Sequence, residues 1–221
     1  MANFYKEITT CPICKTEFTY AKIMSSAIKV KSYDQDLKPN YVDYNPLMFS
    51  IITCTNCKFT YNEKDKDKIK NNISPKKFEL INKYLSNITE EDIFKIDNSE
   101  NKSPEFYKQQ LVMGSEIYSI LKKPFEVAKL LLKLAWHYRD IDDERRELKI
   151  LNNVLKISTM YFEEAYTDDD TIFALFYSGY ISYRFGNLND AARYLDRLNS
   201  KYKNARSPYI RASKELRGEL K

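Results

Sequence analysis

Cys11-Pro12-Ile13-Cys14 and Cys54-Thr55-Asn56-Cys57 hold all four cysteines of the chain, in two C-x-x-C pairs. Each pair runs into a similar tail: Lys15 and then Phe18-Thr19-Tyr20 after the first, Lys58 and then Phe59-Thr60-Tyr61 after the second. Two intervening residues form a tight turn that aims both sulfurs at one point, and two such turns supply the four ligands of a tetrahedral ion. The repeated turn and tail predict two half-sites facing each other across one zinc, bound by Cys11, Cys14, Cys54 and Cys57. Four thiolates leave no open coordination position, so such a site is structural rather than catalytic. Lys15 and Lys58, each beside a ligand, are placed to offset the negative charge of the cage, and turn amides can donate to the sulfurs. They stand where positive φ is expected and glycine would be easiest.

The gap between the pairs is 39 residues, longer than the roughly 15–20 of common zinc patterns. Three other fates compete. The cysteines could be buried and inert, or a redox pair, although the βαβ setting of such motifs is missing. They could form disulfides, although no secretory signal precedes them.

Composition is that of an ordinary soluble chain: 43% of the 221 residues are hydrophobic and 30% charged. Only 4 glycines and as many as 18 tyrosines favour helix over sheet or barrel. The net charge of +5 is mild and spread over both parts, 11 basic and 8 acidic residues up to position 72, 25 and 23 beyond it. Nucleic-acid binding is allowed but not demanded. The N-terminus lacks a signal-peptide apolar run. The most apolar stretch, Val127 to Trp136, contains Lys129 and Lys133 and is about half the length that spans a bilayer. A cytoplasmic protein without membrane insertion is expected, in a compartment that keeps thiols reduced.

Residues 1–61 read as a small β-rich module. Ala27 to Lys31 alternates apolar and basic residues, Asp34 to Asn40 is a turn, and Leu47 to Thr53 enters the second cysteine pair as a strand. Alternating charge from Asn62 to Lys68 marks a linker or an exposed helix start, which sets the domains at 1–72 and 73–221. Ser74-Pro75 opens a helix to about Ser86, and Thr89 a short one to about Ile96. From Ser103-Pro104 onward apolar residues recur at three-and-four spacing, with acidic and Asn residues at 142–143, 168–170, 187 and 189 where helix starts are needed. The fold class is therefore α+β: a zinc-ribbon-like module followed by an all-α helical array.

Leu175 to Leu198 resembles one tetratricopeptide repeat, with Gly179, Gly186, Ala191 and Leu195 at the small, turn and packing positions. Tyr138 and Leu151, and the helices around Gly114, suggest weaker copies. The chain as a whole resembles a bacterial family of unknown function, with a zinc-ribbon-like N-terminal segment and a tetratricopeptide-like helical domain. The resemblance rests on Cys11-Pro12-Ile13-Cys14 with Phe18, on Asp34 and Asp36, Tyr41, Asn45-Pro46, and on Cys54 with Cys57; more loosely it includes Leu134-Ala135-Trp136. It implies an architecture and a metal, but no reaction.

No catalytic constellation stands out. The single histidine, His137, reads as a half-buried helix residue, and no glycine pair has phosphate-loop spacing. Asp168-Asp169-Asp170 reads as a helix start. Asp34 and Asp36 make a plain turn or orient Lys29 or Lys31. Tyr177 and Tyr194 fall off the main apolar face and would line a groove. The expected function is a zinc-containing adaptor whose helices take a protein or peptide partner. The alternative is a nucleic-acid binder using Lys22, Lys29, Lys31 and the aromatics near the cysteines.

Overall fold

The computed structural model describes residues 3–89 and 95–220. Strand β1 (Phe4–Thr10) pairs antiparallel with β2 (Glu17–Ile23), Thr10 opposite Glu17 and Phe4 opposite Ile23. Phe18 and Tyr20 turn inward while Glu17 and Thr19 face water, so β2 has one buried face. Strands β3 (Val30–Tyr33) and β4 (Pro39–Tyr41) form a second pair. Strands β5 (Ile51–Thr53) and β6 (Thr60–Asn62) form a third, fully buried, with Thr53 opposite Thr60.

Two expected strands are shorter than the sequence pattern suggested. Asn45 accepts a hydrogen bond from the Leu47 amide and Pro46 occupies the first helical position, so residues 46–49 close into a 3-10 turn ahead of β5. Residues 25–27 likewise form a 3-10 turn, and extended structure resumes only at Val30.

Helices α1 (Lys66–Asn72), α2 (Pro75–Ser86) and α3 (Pro104–Ile120) follow. Ser74 and Ser103 cap α2 and α3, each accepting from the amide three residues on, with proline next in line. The charged run at 62–68 is not a loose linker: it ends β6, makes a 3-10 turn and starts α1. Asp65 within it is buried and accepts from Tyr118 Oη at 2.7 Å, while Tyr118 Oη takes the Asn62 amide at 3.1 Å. The helix expected from Thr89 lies largely outside the described residues.

Beyond Lys123 come α4 (Pro124–Asp140), α5 (Glu144–Tyr161), α6 (Asp168–Arg184), α7 (Leu188–Lys201) and α8 (Pro208–Glu219), each packed on the next and α6 also on α8. Helix α6 is the centre of this group, with every residue from Thr171 to Ser182 buried. Its cap is Thr167, which accepts from the Asp170 amide; the three aspartates fill the first turn, at the positive end of the helix dipole.

Contacts divide the chain into two compact units, residues 1–31 with 41–123, and residues 32–40 with 124–221. In this division the break follows Lys123, and the short segment 32–40 groups with the C-terminal helices.

Candidate metal centre

Each cysteine pair sits in the loop of a hairpin, the first between β1 and β2 and the second between β5 and β6. The two loops repeat the same hydrogen bonds. The Cys11 amide donates to Thr16 O at 2.9 Å and the Lys15 amide to Cys11 O at 3.1 Å; the Cys54 amide donates to Phe59 O at 2.9 Å and the Lys58 amide to Cys54 O at 3.0 Å. Lys15 and Lys58 are both left-handed, at φ 64° and 65°. The backbone demand inferred from turn geometry is thus present, and lysine meets it in both halves. Their ammonium groups serve the backbone as well: Lys15 Nζ donates to Pro12 O at 2.7 Å and Lys58 Nζ to Ile88 O at 2.5 Å.

The four sulfurs converge, all within 4.8 Å of one another. Cys11 and Cys57 Sγ lie 3.6 Å apart, as do Cys14 and Cys54 Sγ. A tetrahedral ion with metal–sulfur bonds of about 2.3 Å has sulfur–sulfur edges of about 3.8 Å, so the cage is of the right size. All four are free thiols rather than disulfides. Cys11 and Cys54 are fully buried; Cys14 and Cys57 are partly covered.

Amide hydrogen bonds support the sulfurs in matched fashion. Ile13 and Cys14 serve Cys11 while Asn56 and Cys57 serve Cys54; Thr16 serves Cys14 and Phe59 serves Cys57. Bonds from Cys11 and Cys57 pull the Cys54 thiol down to about 2. The bond to Cys54 in turn pushes Cys11 up to about 12 and, after that to Cys11, helps raise Cys57. Sulfurs this close cannot all ionise unaided; a divalent cation held by Cys11, Cys14, Cys54 and Cys57 would supply the charge that lets every thiol lose its proton. The residues present therefore fit a metal ion.

A family described as "Uncharacterized protein conserved in bacteria (DUF2225)" matches residues 4–220. The chain belongs to this family. No curated protein and no solved structure matches it. Membership carries no assigned reaction, so the chemistry of this DUF2225 chain rests on its own residues.

A second polar cluster lies within the C-terminal unit, where Asp34 and Asp36 stand at the turn between β3 and β4, as one of the two expectations had it. Asp34 and Asp36 do not orient Lys29 or Lys31. Asp36 is fully buried and takes a two-pronged bond from Arg139, Nη1 to Oδ1 at 3.0 Å and Nη2 to Oδ2 at 2.9 Å. Trp136 Nε1 adds a bond to Oδ2 at 2.8 Å, and Asp34 takes Arg139 Nη1 at 3.0 Å. Glu147, also buried, accepts from Arg139 and Arg184. Burial alone would lower the Arg139 guanidinium; Asp36, together with Tyr180 and Glu147, outweighs it and holds the group above its ordinary range. Tyr177, expected in a groove, is instead core: it packs on Phe173 and Phe176 and donates to the Asp36 carbonyl at 3.0 Å. Both carboxylate oxygens of Asp36 are occupied, which makes it an anchor for the 32–40 segment rather than a reactive group. The signal available in sequence was the pairing of Trp136 and Arg139, three apart on one helix face, but nothing local named their partner about a hundred residues earlier. His137 is half-buried on α4 beside Tyr138, as read. No helix of the described residues is long and apolar enough to cross a membrane.

Proposed function

We propose that this protein is a zinc-stapled adaptor: a structural four-cysteine zinc site shapes its N-terminal unit, and its C-terminal helices engage a protein or peptide. The carrying observation is the closed cage of four sulfurs at tetrahedral spacing. All-sulfur tetrahedral sites take zinc or iron–sulfur centres, and a single-ion cage of two C-x-x-C turns favours zinc. With four protein ligands the ion has no place for a reacting water, which supports a structural role. Thiolate ligation requires reduced cysteines, and we therefore place the protein in the cytoplasm.

The helical unit supports a tetratricopeptide-like reading at α6 and α7. Gly179 lies where a Cβ would stand 2.7 Å from Leu195 Cγ, with Ala191 O 3.5 Å away, and Gly186 turns the chain at φ 76° between the two helices. Close helix pairs of this kind build the surfaces that repeat arrays offer to partners. The nucleic-acid alternative is weakened at one of its own residues, since Lys22 is engaged by Glu7 and Glu63.

Elemental analysis joined to cross-linking tests both halves. Zinc at about one per chain, and partner cross-links that map to α4–α8, would support the reading. Iron in place of zinc, or cross-links confined to residues 1–123, would contradict it.

A further inference from the structure

From Lys201 to Lys214 the chain carries five basic residues and no acidic one. Since the full chain has 36 basic and 31 acidic residues, everything outside this segment is balanced at 31 against 31. The whole net charge thus sits in the end of α7, the following turn and the first half of α8. There Lys203, Arg206, Arg211 and Lys214 line a groove of about 410 Å³, with Ala205 and the buried Ile210 between them.

Several other cations of this unit are neutralised within the chain. Lys38 has Asp140, Lys129 has Glu126 and Asp170, Arg197 has Glu163, and Arg217 has Asp196. In the groove only Arg211 has an acid, Glu215, and both are exposed. Among the described residues, Lys203, Arg206 and Lys214 pair with no carboxylate. Like charges left together around a concave surface repel one another, and the groove focuses their potential outward.

We propose that this groove docks an acidic segment of a partner protein, its carboxylates over Lys203, Arg206 and Lys214 and its aliphatic stems against Ala205 and Ile210. The proposal rests on the helical unit being the interaction domain and names the chemistry of what it binds. Arginine suits carboxylate recognition through its forked donors. Nucleic acid fits less well. A single strand needs open aromatic faces for its bases, whereas Tyr202 is buried and Tyr209 packs against Phe176 and Tyr177. A duplex needs cations strung along its phosphate rows, whereas these surround one groove.

Fluorescence anisotropy of a labelled peptide of alternating Glu and Ala, titrated with the full chain, tests this. The expected result is saturable binding that weakens with salt and falls about tenfold or more in Arg206→Glu/Lys214→Glu. Lys149→Glu/Lys156→Glu makes the same change of charge at exposed positions on α5 and should keep the affinity within about twofold. Circular dichroism checks that both fold, and Arg206→Gln/Lys214→Gln gives a milder reading of the same loss. No binding at low salt, equal loss in both charge-reversal pairs, or tighter binding of an RNA strand or DNA duplex would overturn it. Should a cross-linked partner persist in Arg206→Glu/Lys214→Glu, the groove proposal fails while the interaction-domain reading stands.

Discussion

Asp36 shows how much one residue carries. It is fully buried, yet all its acceptors are met by Arg139, Trp136 and a neighbouring amide. Breaking a buried pair by removing one partner costs about 3–5 kcal/mol, because the other charge stays behind without compensation. Arg139 keeps Asp34 and Glu147 as partners, so Asp36→Ala should lower the denaturation free energy by less than that, about 1–3 kcal/mol, and Trp136, the only tryptophan, should report the change in its emission. An unaltered midpoint and spectrum would contradict the anchor. Lys102 is a different case. Its ammonium is buried against Met48 O and Ile51 O, at 2.9 and 3.0 Å, and burial brings it down from its ordinary 10.5 to about 7. Between these values the unfolded chain holds the proton and the folded chain does not, so stability from this group rises with pH from about 7 to 10.5. Below that window both states are protonated and the slope vanishes. Lys102→Met should flatten the rise in denaturation curves taken across the window; an identical slope in both proteins would refute the burial of a titrating amine.

At the scale of elements, local rules were read well and distant ones poorly. Ser-Pro steps at 74–75 and 103–104 open α2 and α3 where the sequence placed them. The backbone bonds of the two cysteine turns match, because the whole instruction for them lies within six residues of each. By contrast, Asn45 turned the start of an apparent strand into a 3-10 turn through one side-chain bond. Asp36 was unreadable because its partners lie on α4. The long gap between cysteine pairs has the same origin: residues 32–40 leave the first unit to join the helices of the second. The pair α6–α7 gives a direct test. A methyl at position 179 would meet Leu195 Cγ and Cδ2 at 2.7 Å, and overpacking of this kind costs about 1–3 kcal/mol. Gly179→Ala should lower the thermal midpoint, although alanine is the better helix former; a gain in stability would show that the helices do not meet there as described.

At the scale of the whole molecule, the two units are stabilised differently. The first brings four sulfurs together from short hairpins, and β5–β6 is only three residues a side; so small a sheet would depend on a metal held there. The second has a continuous apolar centre along α6. Chelation should therefore speed amide exchange in β1, β2, β5 and β6 before it affects α5, α6 and α7; uniform exchange across both units would contradict that order. The central claim, that Cys11, Cys14, Cys54 and Cys57 share one ion, is tested most directly by zinc-edge X-ray absorption on the purified chain. The account predicts four sulfur neighbours at about 2.3 Å. A first shell of nitrogen or oxygen, or a chain that retains no zinc after purification under reducing conditions, would contradict it.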